Sequence, residues 1–432
     1  MTILIAGGGI AGLSLGLTLH QIGVPFRIFE AARQIRPMGV GINLQPNAVR
    51  ELLDLGLGAE LEAIGVKTRQ YGFYSKLGKT IWEEPRGTWA GYAWPQYSVH
   101  RGHLQMMLHH ALIDRAGPDC VVTGARAVGF DTTDGVSVLR LEDGRRVEGT
   151  LLVGTDGIHS ALRAQMYPDE GEPIWNGRVL WRATTQAPVW FGGAAMVMIG
   201  HDALRLVAYP ISNPDADGIA TINWIAEKRF PLDAEWKKED WNRAADIGDF
   251  LPEFEDWRFD WIDVPALIRG AEVVYEYPMV DRDPLPRWNH GPVTLMGHAA
   301  HPTYPVGSNG ASQAIIDARV IGAKLLEHGP TPAALTAYEG EMRPLTTVVG
   351  RANRAGGGPD AVLQRVEDLC GGDFGDIEQV IPRAGLAAHA EKYKSIAGFS
   401  IADLNARPRT IPEGALVRNQ ALRAKYRVSQ TD

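Results

Sequence analysis

TILIAGGGIAGLSLGLTLHQIGVPFRIFE, Thr2 to Glu30, joins an apolar run, three consecutive glycines, a stretch with helical spacing and a second apolar run that ends in an acid. That succession reads as a β-α-β unit, the entry to a doubly wound sheet. Gly7, Gly9 and Gly12 hold the three glycine places of GxGxxG, directly after the first run and at the start of the helix. The first permits a tight turn, the second lets backbone approach a pyrophosphate, and the third allows close helix-to-strand packing; the helix start at Ile10 and Ala11 offers N–H donors and a positive dipole. Glu30 stands where a carboxylate can accept both ribose hydroxyls of an adenosine. A glycine-rich turn that only packs is the bland alternative, and the strand before and the acid after favour dinucleotide binding over it.

Outward from this unit, PNAVRELLDLGLG and HRGHLQMMLHHALIDRAG show helical periodicity, and LRLEDGRRVEGTLLVGTDG reads as a hairpin returning to a buried strand. Between about Gly177 and Lys228 short strand-like runs, RVLWRATT, AAMVMIG, LRLVAYPIS and GIATINWIAEK, indicate an inserted, mostly antiparallel sheet. The strand-then-helix pattern returns with PVTLMG and GASQAIIDARVIGAKLLEH, so the first sheet is expected to be rejoined there.

The chain has 432 residues, long enough for two or three structural units. A formal charge of -8 argues against a nucleic acid partner and leaves small molecules. Cys120 and Cys370 show no disulfide or zinc spacing, so no metal site is expected and a reducing cytoplasm fits best. The N-terminal run lacks the basic start and cleavage site of a signal peptide, and no run has the ~18 apolar residues of a spanning helix. No membrane association is expected.

Three further stretches carry chemistry. GTDGIHSALR, Gly154 to Arg163, ends a strand at Asp156-Gly157 and begins a helix near Ser160; Asp156 can fix a ribityl chain, or it can simply cap the helix. Arg101, in YSVHRGHLQMML, can reach phosphate or ribityl oxygens, or be a solvated surface arginine. LMGHAAHPTYPVGSNGASQAIIDA, Leu295 to Ala318, places His298 at the end of a strand, a Pro305-Val306-Gly307 turn against which a flat ring can lie, and a helix starting at Gly310. That helix end suits the negative charge of a reduced flavin. His301 reads better as a structural histidine than as a catalytic one.

GGGIAG with Glu30, then Arg101, GTDGIHSALR and GHAAHPTYPVGSNGASQAIIDA together resemble the single-component FAD-dependent aromatic hydroxylases, the para-hydroxybenzoate hydroxylase-like family, from residue 2 to about 350. VGINLQPNAV, EPRG, PQYSVHRG, RLVAYPIS and YPMVDRDPLPRW are similar to its phenazine monooxygenase branch, which acts on 5-methylphenazine-1-carboxylate. With the pattern above, the resemblance implies an α/β fold with a Rossmann-like FAD-binding domain (1–170 and 286–350) and an inserted, mostly antiparallel β-sheet substrate domain (171–285); beyond the resemblance the chain itself reads as a helical C-terminal region (351–432). It implies an FAD- and NAD(P)H-dependent monooxygenase, with NADH or NADPH as transient reductant. Through a flavin C4a-hydroperoxide it would hydroxylate an aromatic or N-heteroaromatic acid or phenol with O2, with or without loss of carboxylate. It extends the cofactor contacts to Ala31, Arg33, Gly41, Gln105, Val128, Asn309 and Ala311. The family has aspartate where this chain has His298; a neutral imidazole can still accept a hydrogen bond, but a negative charge is lost. Trp181, Tyr209, Trp224, Pro305 and Val306 are candidates for the substrate wall, with simple core as the alternative for the strand aromatics. Tyr209 is the candidate acid-base group, although an electron-rich heterocycle needs no protein base, and Arg182 and Arg205 either meet a substrate carboxylate or face solvent. A monomer or homodimer is expected. The alternatives are a flavin oxidase or dehydrogenase without oxygen insertion, and a flavin-poor ligand-binding protein.

Overall fold

The computed structural model describes residues 2–133, 135–234, 243–356, 358 and 360–417. A six-stranded sheet runs in the order Asn289–His290, Val293–Leu295, Leu151–Gly154, Ile3–Ala6, Phe26–Phe29, Val121–Val122. Its pairings are parallel except at the Asn289–His290 edge. Ile3 to Ala6 and Leu151 to Val153 are apolar at every position and buried, as parallel strands covered on both faces must be. The helix Ile10–Gln21 packs against Arg101–Ala116 on one side and Gly310–His328 on the other. Gly322 permits the second crossing, since a Cβ there would stand 2.4 Å from the Thr18 methyl.

An eight-stranded sheet forms the second layer, ordered Arg243–Ala244, Tyr275–Asp281, Ile174–Pro188, Ile219–Arg229, Leu204–Pro210, Ala195–Gly200, Gln70–Tyr74, Thr80–Pro85. It is antiparallel except where Ala195–Gly200 runs beside Gln70–Tyr74. Two of its strands therefore come from within 1–170. The hairpin QYGFYSKLGKTIWEEP, turning at Gly78 with φ +73°, adds β-prone residues to an edge that the 171–285 segment would otherwise leave open.

Alternation divides this sheet into two faces. Trp181, Val197, Leu206 and Trp224 turn away from the first sheet and bury against Phe250, Phe254 and Trp257; the Trp181 and Phe250 rings stack at 4.5 Å and 7°. Trp181 and Trp224 are thus core residues, not the substrate wall for which the sequence made them candidates. Their neighbours Arg182 and Ile225, paired across the two strands, occupy the other face.

The helices Ala361–Cys370 and Arg383–Ile396 cover part of that other face through Val362, Val366 and Leu386, packed with Tyr71, Phe73 and Ile81. Residues 407–417 return to the first layer, where Ile411 joins its core and Val417 N–H donates to Ile22 O. Among the described residues no helix is long and apolar enough to cross a membrane.

Arg319, wholly buried on the helix Gly310–His328, binds Glu51 Oε2 at 3.1 Å, Asp54 Oδ2 at 2.7 Å and Thr18 Oγ1 at 3.3 Å, and so locks three helices together. Replacing it removes the shared, wholly buried cation from Glu51 and Asp54 and leaves them, among the described residues, only the longer ion-pair contacts with Arg50 at 3.7 Å and Arg409 at 3.4 Å. Arg319→Met is expected to lower unfolding stability by about 3 to 5 kcal/mol, read from denaturant midpoints.

Candidate active site

Ala6, Gly154 and Leu295 lie abreast in the parallel sheet, so the loops that follow them open at one edge. This is the carboxyl edge where open α/β sheets bind ligands. Gly7 has φ +113°, and a Cβ on it would stand 2.6 Å from the Thr155 carbonyl; a Cβ on Gly12 would stand 2.0 Å from Gly7 O. Thr155 Oγ1 is 2.9 Å from both Ala6 O and Gly7 O. At Gly9 an added Cβ would meet nothing within 4 Å, so the space before the helix start is open. No side chain caps that helix, which leaves its first N–H groups available to an anion.

Glu30 is oriented by the same turn, Oε2 accepting from Gly8 N–H at 2.6 Å and Oε1 from Ala32 N–H at 2.7 Å. Each oxygen keeps a lone pair for a ribose hydroxyl. Gln105 Nε2 donates to Gly8 O at 2.9 Å. Ala31, Arg33 and Val128 lie toward this end: Arg33 and Val128 are exposed, and Ala125, near Val128, donates its N–H to Glu30 O.

The middle motif performs its structural task through Asp156 Oδ2, which accepts from Ala161 N–H at 2.9 Å at the start of the following helix. Its other oxygen is buried without a hydrogen-bond partner, and burial raises the carboxyl pKa. Sequence reasoning passed over Arg163. Fully buried, it donates to Ala299 O and Ala300 O, both at 3.0 Å, and binds Glu170, thereby fixing the turn that carries His298. Asp317 was also passed over: Oδ2 meets His301 Nε2 at 2.6 Å and Gly297 N–H at 3.1 Å, and so ties His301 to the strand end.

These loops and the second sheet enclose a cavity of about 540 Å³. Gly9, Ile10, Ala11, Gly41, Arg101, Asp156, Gly157, His298, Pro305, Val306, Gly307, Gly310, Ala311 and Tyr209 all reach it, whereas Trp181 and Trp224 do not. Asn309 is buried behind the turn. The opposite wall is made by Met196, Met198, Val207, Ile225 and Met279, with Arg182 set among them. The His298 side chain is exposed toward the cavity, and desolvation by the dense protein around its base, followed by the nearby His301 and Arg101, lowers its pKa to about 4. It is neutral at ordinary pH. Burial pushes the Tyr209 phenol up to about 12, against a smaller opposing effect of Arg182.

The FAD binding domain family matches residues 1–251, more than half of the chain. The sequence is 44% identical to phenazine 1,6-dicarboxylic acid hydroxylase of Lysobacter antibioticus, over 82% of this chain and 89% of that protein. It is 33% identical to aurachin C monooxygenase/isomerase of Stigmatella aurantiaca, over 78% and 84%. The chain belongs to the FAD-binding aromatic hydroxylase family. In fold this monooxygenase is similar to a salicylate hydroxylase substrate complex (TM-score 0.72, 20% identity, 95% and 98% covered). It is equally similar to Klebsiella pneumoniae HpxO with FAD and uric acid (0.71, 22%, 94% and 97%).

The residues present fit FAD: an oriented acid, an open glycine turn at an uncapped helix start, and a cavity running to a second helix start at Gly310 that also lacks a side-chain cap. If Glu30 holds the adenosine ribose, Glu30→Gln weakens FAD binding by about 1 to 3 kcal/mol, measured by titrating the apoprotein.

His298 supplies a pH test. A histidine whose folded pKa lies below 6.5 binds its proton more readily when unfolded. Its neutral form therefore contributes fully above about 6.5, and that stability is lost as pH falls toward 4. Across this window the holoenzyme's unfolding midpoint is expected to fall less in His298→Gln than in the wild type.

Proposed function

We propose that the enzyme hydroxylates a carboxylated N-heteroaromatic compound of phenazine type. FAD would extend from Glu30 past Gly9 and Asp156 to the Pro305–Gly310 turn, and the substrate ring would lie between that turn and the second sheet. The proposal is carried by the wall opposite the turn, where Met196, Met198, Met279, Val207 and Ile225 surround the Arg182 guanidinium, while Arg205, Glu227 and Asp360, which also line the cavity, are paired with one another. Methionines adapt to flat, polarizable rings. Arg182 gives one bond to Gly41 O at 3.0 Å, its Nε is buried without a hydrogen-bond partner, and it neighbours Arg101 and the Tyr277 ring. Arg205 is committed elsewhere, its Nε to Glu227 Oε2 at 2.6 Å and its Nη1 to Asp360. Similarity to the Lysobacter antibioticus phenazine 1,6-dicarboxylic acid hydroxylase supports the same substrate class.

When bound and reduced by NADH or NADPH, FAD supplies the activated oxygen. The protein's share is placement and exclusion of water. The apolar wall keeps water from the reacting ring, Arg182 orients the carboxylate, and the helix start at Gly310 favours negative charge at the adjacent edge of the flavin ring. The Tyr209 phenol, protonated at neutral pH, can donate a hydrogen bond to substrate and is a poor base.

The test measures NADH and NADPH oxidation with phenazine carboxylates and with monocyclic phenolic acids, together with product mass. Stimulation by the phenazine acids with gain of one oxygen is expected; oxygen transfer confined to a monocyclic phenol would refute the assignment. Arg182→Gln is expected to raise KM for a carboxylated ring by roughly 10- to 100-fold and to leave the ring lacking the carboxylate little affected. An equal effect on both would mean that Arg182 only holds Gly41.

A further inference from the structure

The turn on the flavin side of the cavity is gripped from behind by C-terminal helices. Tyr393, buried on the helix Arg383–Ile396, accepts from Asn309 Nδ2 at 2.7 Å, and its hydroxyl lies 3.2 Å from both Val306 O and Asn353 Oδ1. A phenol has one proton, so it donates to one of these acceptors at a time. Asn353, on the helix Pro332–Arg354, comes to the same turn: its Nδ2 is 3.1 Å from Thr303 Oγ1, 3.4 Å from Tyr304 O and 3.3 Å from Val306 O. Two helices that are distant in the chain therefore converge on one carbonyl.

The backbone they hold is left-handed at two successive residues, at no cost for Gly307 but unfavourably for Ser308. Gly307 has φ +71° and Ser308 has φ +57°, a left-handed conformation that a residue with a side chain adopts only when its surroundings impose it. A Cβ on Gly307 would stand 1.9 Å from the Tyr393 hydroxyl. Glycine at this place thus makes room for the phenol behind the turn. The side chain of Asn309 is likewise turned back to Tyr393 instead of capping the helix that begins at Gly310.

We propose that Tyr393, together with Asn353, is a positioning residue: by fixing Val306, Gly307 and Asn309 it sets how the flavin ring is seated. This rests on the placement of the ring at the Pro305–Gly310 turn. Tyr393 also packs with Tyr92, Val349 and Phe399, so the diagnostic substitution must keep the aromatic ring.

The experiment uses holoenzyme carrying Tyr393→Phe, Asn353→Ala, both together, and His298→Asp as a probe of the ring seat. For each, the flavin absorption spectrum, the flavin midpoint potential, the FAD Kd and the unfolding midpoint are measured. Tyr393→Phe is expected to shift the spectrum and the potential and to raise the Kd by roughly two- to tenfold. Asn353→Ala is expected to shift them in the same direction, and the pair to shift them by less than the sum, because both act through Val306. A merely structural Tyr393 would lower the unfolding midpoint and leave spectrum and potential unmoved; that result, with His298→Asp still moving them, overturns the proposal and leaves the ring seat standing. Strictly additive shifts also overturn it. Should Tyr393→Phe fail to fold, Asn353→Ala alone decides by the same criterion. If His298→Asp and the clamp variants all leave the flavin signals unchanged, the ring is not at this turn and both assignments fall.

Discussion

The parallel register that sets Ala6, Gly154 and Leu295 abreast is the constraint on which the rest of the molecule depends. Three adjacent strands end together, and each end releases a loop toward the same space. Close packing then leaves those loops little freedom. Gly7 and Gly12 are pressed against Thr155 and against each other, Arg163 holds the two carbonyls that directly follow His298, and Asp317 ties Gly297 to His301. A change of register by one residue would move a glycine out of contact and put a side chain in the path of the cofactor.

The second sheet turns that edge into a deep cleft. Its alternation gives one face to an aromatic core around Trp181, Phe250 and Trp224, and the other to methionines, aliphatic residues and Arg182. Rigidity and adaptability are thus divided between two sides of the same strands. The C-terminal helices add a third support. They cover the edge of the sheet near Phe73 and hold the Val306 carbonyl, so the cavity is braced from below, above and behind.

Local signals made much of this legible in the sequence. The unit from Thr2 to Glu30 and the strand, turn and helix from Leu295 to Ala318 each announce themselves within a few turns of chain, and the comparisons support the FAD-dependent hydroxylase class read from them. The sheet wall was less legible. Trp181 and Trp224 are the bulky aromatics of their strands, but a residue's face depends on parity, and the smaller neighbours Arg182 and Ile225 face the cavity. The strands Gln70–Tyr74 and Thr80–Pro85 look like any hairpin, and nothing local says which sheet they complete. Arg163, Asp317 and Tyr393 act through contacts with distant segments or with backbone carbonyls, which leave no spacing signature.

The convergence of the three loops on one extended cofactor is tested most directly by a crystal structure of the holoenzyme. Continuous FAD density is expected to begin at the Glu30 carboxylate, pass Gly9 and end with the ring between the Pro305–Gly310 turn and the wall bearing Arg182. Density whose adenosine lies away from Glu30, or whose ring lies outside this cavity, would contradict it.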